Sequence, residues 1–317
     1  MAEIRVRLAS LDDTQPISAL FRARVVRWQR LNAAGQVEDV PYESLSIYER
    51  WLHGGPWMSV ETAALHLSHL LRGAGLPVAA LVDGRIGGYA EAFHGLEPAP
   101  YGDHLHLASL TLHPELQPEA LADALVTFAL EQARAAGCAQ LTTAVVPHDE
   151  AMCQLCERHG LKPVAHMVRM SLPARTGQVF YRAAEHLSAN PAQISGWHMP
   201  VGRLSSARHH WETLWPRTWH AIPELRARRA HRLKFSVAGQ EALVYCEQQL
   251  YAPRSADVAC WSPKPLSSQV LAALRDWAHQ EGYRTLVMTA AEEVAHALGP
   301  DAEPDGFTQD IYAVAVR

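Results

Sequence analysis

Two stretches of the chain, "LVTFALEQARAAGCAQLTTAV" (125–145) and "VLAALRDWAHQEGYRTLVMTA" (270–290), follow one plan: an amphipathic helix, a glycine stop at Gly137 or Gly282, then an apolar strand. Further on, "HGLKPVAHMVRMSL" (159–172) is matched by "DGFTQDIYAVAV" (305–316), each a glycine followed by a last alternating strand. Upstream, "PVAALVDGRIGGYAEAF" and "RLKFSVAGQEALVYCEQQL" both read as strand, tight turn and strand, with the turns at Asp83-Gly84 and Ala238-Gly239. Such a repeat predicts a tandem duplication whose copies have diverged. The segment 173–200 has scattered Pro, Gly, Ser and Asn and weak periodicity, so it suits a connector. The expected domains are residues 1–175 and 176–317.

The length of 317 residues is comfortable for two domains. Hydrophobic residues make up 48% and charged residues 19%, an ordinary globular balance. No stretch approaches the roughly 20 apolar residues of a membrane span, so no membrane partner is expected. The N-terminal "MAEIRVRLASLDD" alternates Ile4, Val6 and Leu8 with Glu3, Arg5 and Arg7, which predicts a strand rather than a signal peptide and hence a cytoplasmic location. Five cysteines without framework spacing fit reduced thiols. A net charge of −5 gives no reason to expect nucleic acid as a partner, and a homodimer is compatible with all of this.

The N-terminal copy reads as a strand (3–8), a helix after "SLDD", a helix from Ser59, a hairpin (77–93), a long strand (104–112), a long helix (119–135), a strand (139–146), a helix (149–159) and a last strand (164–171). In the long strand the large apolar residues sit at Leu105 and Leu107, then at Leu110 and Leu112, so their parity flips. A bulge explains the flip, and so does a strand buried on both faces. The following "LHPELQPEALADAL" (112–125) opens like a phosphate-cradling loop, yet Pro118, Ala120 and Ala122 stand where glycine is usual. Alanine keeps the main-chain N–H and Pro118 removes one donor. A plain helix start with Pro and Glu in its first turn fits the same residues.

This order of elements resembles the GNAT superfamily of acyl-CoA-dependent N-acetyltransferases, over about residues 4 to 172 and more weakly over the second copy. The family's cofactor segment is similar to Leu112, Pro114, Glu115, Gln117, Pro118, Ala120, Ala122 and Leu125, with departures at Pro118 and Ala120. A second family motif resembles Asp149, Met152, Leu155, Cys156, Glu157, Arg158, Gly160 and Leu161. The resemblance implies a mixed α/β fold of two tandem GNAT-like domains, each a mainly antiparallel sheet with helices on both faces. It also implies acetyl-CoA as cosubstrate, held by Leu110, Thr111, Leu112, Gln117, Pro118, Glu119, Ala120, Leu121, Ala122 and Asp149.

Cys156 stands where many relatives carry the tyrosine that protonates the departing thiolate. With an ordinary pKa of about 8.5 it suits that task, and a small buried core cysteine fits the position too. Candidate bases are Glu91, His106 and His104. The aromatic residues Trp28, Tyr42, Tyr48, Trp51 and Trp57 either shape an amine substrate's cleft or pack an irregular helix pair. Cys153, Cys156, His159 and His148 lie along one helical stripe rather than in separated ligand pairs, so no metal is expected. The C-terminal copy's loop, "WSPKPLSSQVLAAL", lacks glycine and offers Lys264, Ser267 and Ser268 to an anion, and this copy reads as degenerate. The expected function is transfer of an acetyl group to a primary amine of a small molecule or peptide. The alternative is a non-catalytic acyl-CoA-binding or scaffold protein.

Overall fold

A computed structural model describes residues 3–216 and 218–316. Contacts divide the chain into two compact units, residues 1–93, 107–132 and 217–227 in the first and residues 94–106, 133–216 and 228–317 in the second.

In the first unit, β1 (Ile4–Leu8) leads through a 3-10 turn to α1 (Thr14–Arg22). A small hairpin of β2 (Gln29–Leu31) and β3 (Val37–Asp39) follows, then α2 (Ile47–Trp51) and α3 (Val60–His69). The hairpin lies in the segment expected to be an irregular helix pair. Its register sets Arg30 opposite Glu38, and the two form an ion pair at 2.7 Å. Ser59 caps α3 by accepting from the Thr62 N–H, as its position before an apolar run predicts.

The strands β4 (Leu76–Val82) and β5 (Arg85–Leu96) form the expected hairpin. Asp83 and Gly84 both take positive φ, 48° and 81°, the geometry of a tight hairpin turn. The register slips between Ala80 and Leu81, where the β5 side carries one extra residue at Gly87. Sheet order in this unit is β1, β4, β5, then β6 (Asp103–Leu112), which leads into α4 (Pro118–Ala135). The core brings Ile17 and Leu20 of α1, Ala63 and Leu67 of α3, Ala79 and Tyr89 together with Trp57.

In the second unit β7 (Gln140–Val145), α5 (Glu150–Arg158) and β8 (Lys162–Pro173) complete the N-terminal copy. The expected connector contains β9 (Tyr181–Glu185) and β10 (His198–Val201), followed by α6 (Ala207–Leu214). After α7 (Pro223–Ala227), which belongs to the first unit, the C-terminal copy runs through β11 (Ala230–Val237), β12 (Gln240–Gln248), β13 (Ser255–Ser262), α8 (Ser268–Gln280), β14 (Thr285–Ala291), α9 (Glu292–Ala297) and β15 (Glu303–Ala315). Val270, Leu274 and Trp277 of α8 pack on Phe235, Val244, Val258 and Leu286 of the sheet. Full burial of a side chain like Leu274 contributes about 1.5–3 kcal/mol.

The strand order here is β7, β15, β8, β14, β10, β13, β12, β11, β9. The last strand of the C-terminal copy therefore lies between the last two strands of the N-terminal copy. Ile311 of β15 faces Ala144 of β7 on one side and Ala165 of β8 on the other. β8 in turn pairs with β14, Met170 opposite Met288. The compact units accordingly do not follow a break near residue 175, because each copy's final strand is built into the other copy's sheet. No helix of the described residues is long and apolar enough to cross a membrane.

Candidate active site

The chain leaves β6 through a turn in which the His113 N–H donates to the Gly87 carbonyl at 2.8 Å and the Leu116 N–H to the His113 carbonyl at 3.3 Å. Leu116 and Leu121 cover Gly87 so closely that a Cβ there would lie 3.0 Å from Leu121. Gln117 then adopts φ +45°, a left-handed conformation uncommon outside glycine. α4 starts at once with Pro118. At this first helical position proline costs no intrahelical bond, since that N–H would lack a partner anyway. The first bond inside the helix runs from the Leu121 N–H to the Gln117 carbonyl, 3.1 Å. The N–H groups of Glu119 and Ala120 thus sit in the first turn ahead of any carbonyl partner, at the positive end of the helix dipole.

The residues expected to hold the cofactor separate on this geometry. Gln117, Pro118, Glu119 and Ala120 are exposed, Leu110 and Leu112 half-buried, and Thr111 buried at the end of β6. Leu121 and Ala122 point into the core. Their N–H groups lie past the first turn, so these two residues build the helix's buried face. The N–H donor expected at Ala122 is therefore spent within the helix. Asp149 caps α5 by accepting from the Met152 N–H at 3.1 Å. Along β6, His104, Leu105, His106 and Leu107 are all buried, whereas past the parity flip Leu110 and Leu112 are half-buried and Thr111 is buried.

Glu91 is buried on β5. Its Oε1 accepts from the Trp57 indole N–H at 2.8 Å and meets His66 Nε2 at 3.1 Å. Tyr89, two residues back on the same strand face, is buried beside it, and burial together with the Glu91 carboxylate pushes the Tyr89 hydroxyl well above its ordinary range. Aromatic rings enclose this group. Trp57 stacks on Phe21 at 5.4 Å and meets His66 edge-on at 5.4 Å. Trp219 lies 5.9 Å from His66 and 4.4 Å from Trp51. The remaining aromatics of the Trp28–Trp57 segment pack locally: Trp28 contacts Tyr42, over which Arg22 and Arg50 both lie. His66 belongs to no motif, and Trp219 reads in the sequence only as part of a Trp211, Trp215, Trp219 series suited to an interface or core stripe; both are remote from Glu91 along the chain.

The other catalytic candidates lie in the second unit. Cys156 is buried against Val145 and Leu161, with Met152, Cys153, Tyr312 and Val314 packed around them. Burial pushes its thiol up to about 12, so the expectation of a proton donor near 8.5 does not hold there. His106 is buried, with Nδ1 2.9 Å from the Thr142 hydroxyl. Burial holds its imidazole well below the usual range, in the neutral form, and its Nε2 meets no partner among the described residues. His104 directs Nδ1 to the Gly102 carbonyl at 3.0 Å, while its Nε2 lies 3.6 Å from Glu97. Glu97 is itself bound by Arg203 and by the Ala207 N–H at 2.9 Å. Arg203 and Glu97 border a cavity of about 330 Å³ shared with Tyr101, Met167, His198 and Glu293. In the C-terminal copy, Ser267 uses its side chain to cap α8, accepting from the Val270 N–H at 3.2 Å.

Residues 39–161 match the model of the Acetyltransferase (GNAT) family. Among curated proteins none is similar in sequence. Among solved structures, a GCN5-related N-acetyltransferase from Anabaena variabilis superposes with a TM-score of 0.62 at 10% identity, covering 99% of this chain and 73% of that one. A protein of unknown function from Enterococcus faecalis, described as a probable N-acyltransferase, superposes at 0.57 with 12% identity, over 100% of this chain and 73% of the other. A tandem GNAT protein from the clavulanic acid biosynthesis pathway matches at 0.50 with 15% identity, over 99% of both chains.

Proposed function

From the match of residues 39–161 to the GNAT family model and the two-copy GNAT fold, we propose that the chain transfers an acetyl group directly from acetyl-CoA to a primary amine. The observation that carries this reading is the exposed start of α4. Gln117 turns the chain through φ +45°, and the N–H groups of Glu119 and Ala120 follow without carbonyl partners among the described residues, which suits the phosphates of a CoA thioester. Leu110, Thr111 and Leu112 would carry the pantetheine arm along β6. Pro118 leaves this cradle one donor short of an all-N–H loop.

On the amine side, Glu91 serves as proton acceptor and His66 orients it. Trp51 and Trp219 provide the aromatic wall that an alkyl amine would meet. The neutral amine attacks the thioester carbon, the C–S bond breaks, and the proton lost by nitrogen ends on Glu91 while the thiolate is released. The acceptor is a small molecule or a peptide amine. The observation that favours a non-catalytic acyl-CoA binder is the burial of Cys156 with a thiol pushed up to about 12, which leaves the thiolate without that acid.

Calorimetric titration with acetyl-CoA tests binding, and thiol release across a panel of primary amines tests transfer. Saturable binding with amine-dependent thiol release supports the enzyme. Binding without release leaves the binder, and no binding at millimolar acetyl-CoA overturns both.

A further inference from the structure

Three residues far apart in sequence, His94, Asp103 and Cys138, come together in the second unit with their ligand atoms all within 4.8 Å of one another. Each stands at the same end of three neighbouring strands. His94 is near the end of β5, Asp103 opens β6, and Cys138 directly precedes β7. Backbone bonds fix the arrangement: the Ala139 N–H donates to the Asp103 carbonyl at 2.9 Å, and the Cys138 N–H closes the end of α4 on the Ala133 carbonyl at 2.9 Å. Asp103 already pairs with His94. Its Oδ1 lies 2.7 Å from His94 Nε2, and the Cys138 thiol is within 4.8 Å of both.

We propose that His94, Asp103 and Cys138 form a binding site for a zinc-class divalent cation, with a fourth coordination position left open. A nitrogen, an oxygen and a sulfur ligand are the donor set that zinc takes with bonds of about 2.0–2.3 Å, which place tetrahedral ligand atoms about 3.3–3.8 Å apart. To reach that geometry the His94–Asp103 contact opens from 2.7 Å, while separations that extend to 4.8 Å close by side-chain rotation. The approach is open as well. His94 and Asp103 are about half exposed, at 53% and 44% of their side-chain surface, and both border a cavity of about 230 Å³. Arg208 also lines this cavity, but its guanidinium is engaged by Glu212 at 2.7 Å. A water or a small anionic ligand in the cavity completes the coordination. Three protein ligands with one open position is the pattern of a site that exchanges its fourth ligand rather than a closed structural one. The cation would clamp the base of the 97–102 loop, which carries Glu97 and Tyr101.

The test is titration of the reduced full-length protein with Co²⁺ alone, read by absorption, followed by competition with Zn²⁺. The expected result is one equivalent bound, the visible bands of a four-coordinate ion and a near-ultraviolet thiolate-to-cobalt band. Cys138→Ser removes the thiolate band. His94→Gln, at an exposed position where folding is not at stake, weakens binding more than about 100-fold, since even partners behind the ligands are worth 10–100-fold. Cys153→Ser leaves the spectrum unchanged. Absence of saturable binding, a thiolate band that survives Cys138→Ser, or an affinity unaffected by His94→Gln would each overturn the site.

Discussion

Trp57 donates its indole N–H to Glu91 at 2.8 Å, from a residue 34 positions away, and so holds a carboxylate inside an aromatic enclosure. A buried carboxylate is stable only when it is met by polar partners, and Trp57 and His66 both meet it at Oε1. The same pair fixes where a proton could be taken up.

Replacing Glu91 by Gln keeps an acceptor for Trp57 and removes the charge. Turnover by thiol release is expected to fall about 10²–10⁴-fold, the range for loss of a general base, with the acetyl-CoA Kd unchanged. Unchanged turnover would remove Glu91 from the chemistry.

Pro118→Ala restores a main-chain N–H at the first turn of α4 without altering the helix start. Acetyl-CoA affinity by calorimetry should tighten about tenfold, as expected for one added hydrogen bond to a charged oxygen. No gain would mean that the phosphates lie elsewhere.

His106 is neutral when folded because burial, and after it His104, His209, Arg203 and His210, disfavour its cation. Its folded pKa is depressed, so its contribution is complete above the unfolded value of about 6.5 and is lost as pH falls below it, at about 1.4 kcal/mol per pH unit. His106→Asn should flatten the decline of unfolding free energy between about pH 6.5 and 5 by that slope, measured by urea melts. An identical slope in the variant would show that His106 takes up its proton in the fold.

Gly202 takes φ +86° between β10's neighbours, and a Cβ there would lie 2.4 Å from the Val258 carbonyl oxygen. Its N–H donates to the Thr289 carbonyl at 2.6 Å. Gly202→Ala should destabilise the fold by more than about 2 kcal/mol, seen as a lowered Tm, since neither backbone can yield.

Much of the local structure was legible. Gly137 and Gly282 mark helix ends, and the Asp83-Gly84 turn adopts the positive φ that its residue types favour, while at Ala238-Gly239 only the glycine does so and Ala238 takes φ +50° against its preference. The strand exchange was not legible, because the alternation in 305–316 specifies a half-buried strand without naming its partner. The candidate site was legible only in part. Gln117 and Pro118 mark the start of α4, whereas the acidity of Cys156 depends on burial that no motif encodes. The joining of Glu91 to His66 and Trp57, and of His94 to Cys138, arises from tertiary packing between residues with no shared spacing.

The insertion of β15 between β7 and β8 has a consequence for how the duplicated gene can change. The C-terminal copy is free to lose its anion loop, as the capping role of Ser267 illustrates, yet it cannot lose its last strand without stripping the N-terminal copy of a neighbour on two edges. The two copies resemble a strand-swapped dimer fused into one polypeptide. Fragments 1–175 and 176–317 made separately should therefore be insoluble alone and recover a cooperative melt only when produced together, and deletion of residues 303–317 should unfold the second unit even though every residue of the GNAT motif region remains.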